Sequence, residues 1–206
     1  MDSLNKLTEL FRQFPGIGPR QAKRFVYFLL SQTGAYRDLL SKNIYELGSA
    51  IDICKSCFRY FPKGKITDHE CPICKDPKRE SASMLVVSRD VDYENIEKSR
   101  EYNGKYFVLG GNIPILDKEP ESKVRARELY KIVHDRVKTG ELKEIILALN
   151  LTPEGENTED FLRKYLATLS EKHGIKISKL GRGLSTGLEL EYSDTETIKN
   201  ALKNRK

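Results

Sequence analysis

Four cysteines carry the clearest chemistry in this 206-residue sequence, and they fall between positions 54 and 74 as Cys54-Lys-Ser-Cys57 and Cys71-Pro-Ile-Cys74, thirteen residues apart. Two cysteines separated by two residues turn both sulfurs toward one ion, and two such pairs complete a closed tetrahedral thiolate site of the kind Zn²⁺ prefers. A closed site leaves no coordination position for water, so one zinc ion per chain is expected to hold structure and not to catalyse. Two disulfides would suit a secreted chain, and a redox dithiol is the other alternative. His69 and Asp68 precede the second pair and are read as solvated residues, although either side chain is capable of replacing a sulfur.

A second group with chemical meaning is cationic. The stretch Phe14-Pro-Gly-Ile-Gly-Pro-Arg20 places two glycines and two prolines in five residues, which ends one helix and starts another. Arg20, Lys23 and Arg24 then crowd the first turns of the second helix. The backbone dipole is already positive there, so cations are unfavourable unless an anion docks at the same place. Gly16 and Gly18, which leave amides open, together with Arg20, Lys23 and Arg24, are therefore the expected phosphate cradle for DNA. The bland alternative is a tight helical turn with solvated charges. Between the cysteine pairs, Phe58, Tyr60 and Phe61 alternate with Arg59, Lys63 and Lys65, a mixture suited to stacking on single strands but read here as the small core of a knuckle.

The elements that must position these groups follow from periodicity. Leu4, Leu7, Leu10, Phe11 and Phe14 form a helical stripe, and a second helix from Pro19 to Ser31 faces it with Ala22, Phe25, Val26 and Leu29. A third helix is expected from about Ser41 to Ile53, with Ile44, Leu47 and Ile51 toward the core. After Ser83 strands and helices alternate: Met84–Val87, helix to Arg100, Tyr106–Leu109, helix Val124–Lys138, Glu144–Leu149, helix 157–172, and Ile175–Leu180. That order predicts an α/β fold with a mainly parallel sheet. The expected divisions are 1–53 (helical hairpin), 54–80 (cysteine knuckle), 81–180 (α/β domain) and 181–206 (C-terminal segment). Ligands of such sheets gather beyond the strand carboxyl ends, near Asp92, Gly110, Gly111, Asn150, Glu154 and Glu156.

Composition narrows the function classes. Net charge is +6, of which residues 1–53 contribute +2, 54–80 +3 and 81–206 +1, so the excess lies in the first 80 residues, where a polyanion would bind. The longest apolar run is the six residues Phe25 to Leu30, too short to cross a membrane. The first residues lack the basic-then-apolar order of a signal peptide, and a cytoplasmic, nucleoid-associated chain is expected. No nucleotide-binding lysine loop is present.

The order of these parts resembles a known family. Phe-Pro-Gly-Ile-Gly-Pro-Arg-Gln-Ala-Lys-Arg, Tyr-Phe-Val-Leu-Gly-Gly, Ile-Leu-Ala-Leu-Asn-Leu-Thr-Pro-Glu-Gly-Glu and Arg-Gly-Leu-Ser-Thr-Gly-Leu-Glu-Leu-Glu-Tyr resemble the bacterial recombination mediator RecR family along nearly the whole chain. The resemblance implies a helix-hairpin-helix, a structural zinc knuckle, a Toprim α/β domain, and a homotetrameric ring able to encircle DNA. It also implies work with RecO and RecF to place the strand-exchange protein on gapped DNA, without catalysis, and it matches Arg20 and Arg24 to the family's basic hairpin positions. Toprim domains usually carry a glutamate directly after the first strand, where this chain has Ser88; Asp92, Glu154 and Glu156 match the remaining acidic positions. Those three are the expected partner-contact or Mg²⁺ residues, and the runner-up function is a Mg²⁺-dependent Toprim nuclease or topoisomerase-like enzyme. A pure protein adaptor is the third. Further departures are the segment Asp117 to Ser122, the long span between cysteine pairs, and Ser185 in place of a frequent proline.

Overall fold

A computed structural model describes residues 2–64, 68–181, 183–184, 187, 189–193 and 195–203. In chain order the elements are α1 (Ser3–Arg12), α2 (Pro19–Ser31), α3 (Gly34–Ala50), β1 (Ile51–Ile53), β2 (Tyr60–Pro62), α4 (Pro72–Lys75) and β3 (Glu80–Val87). They continue as α5 (Asp90–Ser99), β4 (Gly104–Val108), α6 (Pro120–Lys123), α7 (Ala126–Lys138), β5 (Glu144–Ala148), α8 (Pro153–His173), β6 (Lys176–Lys179) and α9 (Thr195–Lys203). Lys65 and Ser185 lie outside the described residues. The chain divides into two compact units, Met1–Asp52 and Ile53–Lys206.

In the first unit α1 packs on α2. Asp2 caps α1 by accepting from the Asn5 amide at 2.8 Å, and Phe11 meets Phe14 and Phe25 edge-on, each at 5.6 Å between centroids. Ala22 and Val26 are buried, while Phe25 and Leu29 are half-buried. The third helix departs from expectation in two ways. It starts at Gly34, because the Thr33 hydroxyl accepts from the Tyr36 amide at 3.2 Å and opens the helix seven residues early. It also buries nothing: Ile44 and Leu47, expected in the core, are 59% and 58% exposed. A unit this small has too little chain to cover both sides of its own helices.

The second unit is built on a four-stranded parallel sheet in the order β4-β3-β5-β6. β3 is central, and its last four residues, Met84 to Val87, are buried on both faces. Met84 and Val86 join Phe107, Leu129, Val133, Leu162 and Leu166 on one face. Leu85 and Val87 join Tyr93, Tyr106 and Val108 on the other. A strand covered on both faces reads as a continuous apolar run, which is why this segment was visible in the sequence. Its polar first half, Glu80 to Ser83, was not, yet it pairs with Gly104 and Glu144. α8 starts at Pro153, earlier than periodicity indicates, because the Thr152 hydroxyl caps the Gly155 amide at 3.2 Å with proline in the first turn. α9 lies in a stretch where no helix was expected.

Gly155 has a definite role. A Cβ there would stand 2.0 Å from the Asn150 carbonyl oxygen, so only glycine lets the first turn of α8 approach the end of β5. Gly155→Ala is therefore expected to lower stability by about 1–3 kcal/mol despite alanine's better helix propensity. Denaturant unfolding midpoints of the two proteins measure the difference.

Candidate metal centre and nucleic-acid interface

The first cysteine pair sits on a tight turn after β1. The Cys54 amide donates to the Arg59 carbonyl and the Phe58 amide to the Cys54 carbonyl, both at 2.9 Å. Phe58 takes φ +61°, a left-handed backbone that its bulky side chain disfavours, and its ring packs on Phe107 at 5.3 Å. The second pair is presented by α4. Cys71 precedes its first residue, Pro72 occupies the first turn, and the Lys75 amide returns to the Cys71 carbonyl at 3.1 Å. The Cys71 amide also donates to the Cys54 sulfur at 3.4 Å, and the Lys55 amide to the His69 carbonyl at 2.8 Å, so the two turns face one another.

The four Sγ atoms lie within 4.8 Å of one another, and those of Cys57 and Cys71 are 3.6 Å apart. A tetrahedron with metal–sulfur bonds of about 2.3 Å has edges of about 3.8 Å, so the spacing fits a tetrathiolate metal site. All four cysteines are free, and the four-sulfur grouping favours a metal over the disulfide alternative. Cys54, Cys57 and Cys71 are buried and Cys74 is half-buried. The sulfurs also oppose one another's ionisation. Hydrogen bonds from Cys57 first, then Cys71 and Cys74, hold the Cys54 thiol far below its ordinary range, while the bond to Cys54 first, then those to Cys71 and Cys74, and burial after them push Cys57 far above. A bound dication would offset that opposition and displace the remaining protons. Among the described residues no other group of three or more His, Cys, Asp or Glu ligand atoms gathers this closely. Asp68 pairs instead with Lys75 at 2.7 Å, and neither it nor His69 joins the cluster. Phe61 is buried against the cysteines, as the small-core reading expects, whereas Tyr60 is exposed.

At the hairpin, Gly16 has φ +74°, and the space where a Cβ would stand at Gly16 or Gly18 is open. The Ile17 amide closes the turn on the Phe14 carbonyl at 3.1 Å. Gly18 precedes α2 without any side-chain cap, Pro19 fills the first turn, and no acidic residue stands there. Arg20, Lys23 and Arg24 are all exposed, with Arg24 Nη1 donating to Gln21 Oε1 at 3.2 Å. The uncapped amides and the three cations thus belong to the same two turns.

The carboxyl end of the sheet differs from a divalent-metal site. Ser88 follows β3, is fully buried, and donates to Asn112 Oδ1 at 2.6 Å. Asp92 Oδ2 accepts from the Arg89 amide at 2.9 Å in a capping box, and Glu154 and Glu156 lie in the first turn of α8. Among the described residues the three carboxylates do not come together as a cluster of three ligand atoms, and the position after β3 offers a hydroxyl already bonded to Asn112 in place of the glutamate that a Toprim fold's Mg²⁺ set implies. Asn112, Arg125 and Gly155 shape this end and had no signal in the residue pattern, since the expected helix began at 157, after the glycine. Arg125 donates to the Val108 carbonyl at 3.0 Å and the Phe58 carbonyl at 3.3 Å, and stacks against the Phe58 ring, tying sheet to knuckle. No helix among the described residues is long and apolar enough to cross a membrane.

A parallel α/β domain with a four-sulfur knuckle on its edge defines the class, and residues 83–181 match the family model described as a Toprim domain. Residues 183–206 match the model described as RecR, C-terminal. Recombination protein RecR of Bifidobacterium animalis subsp. lactis is 36% identical over 205 residues, covering 99% of this chain and 96% of its own. The protein of the same name from Moorella thermoacetica is also 36% identical, with the same coverage. That of Prochlorococcus marinus strain MIT 9312 is 36% identical over 202 residues, covering 98% and 94%. The chain belongs to the RecR family of recombination proteins.

Removing a sulfur tests the cage. Cys57→Ser is expected to lose bound metal, measured by atomic emission on protein purified without chelator, and to unfold at lower temperature. In the native protein metal affinity should fall as pH is lowered, because protons compete for the same sulfurs; a metal-binding titration at several pH values reads that sign.

Proposed function

We propose that this chain is a non-catalytic recombination mediator that binds DNA, with a structural Zn²⁺ in the four-cysteine cage. The observation that carries the proposal is the hairpin, whose open, uncapped amides at the start of α2 coincide with exposed Arg20, Lys23 and Arg24 and with no acidic residue in that first turn. Such a surface takes phosphates of any sequence, since backbone amides and flexible cations read charge and not base edges. The family's work on gapped or single-stranded DNA with RecO-type and RecF-type partners, and a cytoplasmic location, enter the proposal through family membership. The absence of turnover is supported by the neutral Ser88–Asn112 pair and by the capping role of Asp92.

Assembly into an oligomeric ring is supported by the first unit's apolar surface. Leu10, Leu30, Leu39, Ile44 and Leu47 are each more than half exposed, and a cavity of about 690 Å³ is walled by Leu4, Leu7, Phe11, Leu30 and Ile44. Apolar area of that extent is retained where a second surface covers it.

Three experiments test these statements. Arg20→Ala with Arg24→Ala should weaken DNA binding most at low salt and flatten the plot of log affinity against log salt by about two; a folded double variant with an unchanged slope would remove the hairpin from the interface. Supercoiled DNA incubated with Mg²⁺ should remain intact, and cleavage abolished by Glu154→Gln would establish the enzyme reading instead. For assembly, Ile44→Glu is expected to reduce the particle mass seen by light scattering.

A further inference from the structure

β4 is an edge strand, and the knuckle uses the side that no other strand takes. The Val108 amide donates to the Cys57 carbonyl at 2.8 Å, so the first ligand pair hangs on the end of β4. Three residues earlier, Lys105 reaches the second pair. Its ammonium donates to the Ile73 carbonyl at 3.2 Å, the Cys74 carbonyl at 3.0 Å and the Asp76 carbonyl at 2.9 Å. An ammonium has three donors, and all three are used. The carbonyls belong to the last residues of α4 and to Asp76 that caps it, where a four-residue helix leaves the Ile73 and Cys74 acceptors without a backbone donor in the helix, the Asp76 carbonyl also accepts from the Arg79 amide at 3.3 Å, and a cation complements the dipole. Cys74 is the least buried of the four cysteines, and a cavity of about 270 Å³ beside it is lined by Lys105, Arg136, Glu70 and Ser56. Solvent and a competing chelator therefore reach the site on the side that Lys105 holds.

We propose that Lys105 is the positioning residue of the metal site, fixing the Cys71–Cys74 turn to the Toprim sheet and setting how fast the ion is lost. Metal retention is then a property of β4 as much as of the sulfurs. Outer groups that orient ligands commonly contribute tenfold to a hundredfold in metal affinity. The inference rests on the cage holding zinc, and the two fail differently: native protein purified without metal defeats the zinc reading, whereas native protein that keeps zinc no longer than a Lys105 variant defeats this one.

The test is the rate of Zn²⁺ transfer from intact protein to a chromogenic chelator. Lys105→Met is expected to release zinc about tenfold faster, with Lys105→Gln, which keeps an amide donor without charge, falling between it and the native protein. Lys176→Met, which removes a cation from the opposite edge strand β6, should release at the native rate. Hydrogen exchange at the Lys75 and Asp76 amides of the zinc-loaded Lys105→Met protein should rise, since those amides close α4. Equal release from native and Lys105→Met proteins, or equal acceleration by Lys176→Met, overturns the proposal. If Lys105→Met does not fold, native-rate release from Lys105→Gln overturns it in the same way.

Discussion

Four sulfurs held within 4.8 Å cannot all carry charge unless something positive stands among them. That constraint organises the second unit. The cysteine turns contribute few apolar residues of their own, chiefly Phe58 and Phe61, and a segment so small does not hold its shape by burial alone. A metal ion held by the four sulfurs would supply the missing cohesion, and the turns in turn cover the open edge of β4, a strand side that would otherwise invite pairing with other chains. The Val108 amide, Lys105 and Arg125 are the joints between the two.

The sheet behind the knuckle keeps the frame of a common fold and carries its own set of polar residues at the functional end. Parallel order, buried β3 and the capped starts of α5 and α8 are all present, and they bring loops together where α/β proteins bind ligands. At the centre of that end stands a serine with its hydroxyl committed to Asn112, and the carboxylates that remain serve helix starts. A neutral hydrogen bond ties these loops together and makes the sheet end a firm platform. Gly155 and Asn150 show how tightly that platform is packed.

The first unit works by exposure. Its hairpin presents amides and cations, and its helices present apolar side chains that three short helices have no means of enclosing. A polyanion and a protein surface are the complements of those two textures, and both suit the DNA-binding and assembly role proposed above.

The sequence by itself determined the cysteine cage, the glycine and proline hairpin, and the strands of the parallel sheet. Each of these is local: two-residue spacing, backbone freedom at Gly16 and Gly18, and apolar runs such as Met84 to Val87 act within a few residues of chain. Tertiary structure alone decided that Ser88 faces Asn112, that Lys105 reaches three carbonyls some 30 positions earlier in the chain, that Glu80 to Ser83 extend β3, and that Ile44 and Leu47 stay uncovered. A polar side chain's partner, and the absence of one for an apolar face, depend on which distant segments the fold brings near, and no periodicity records that.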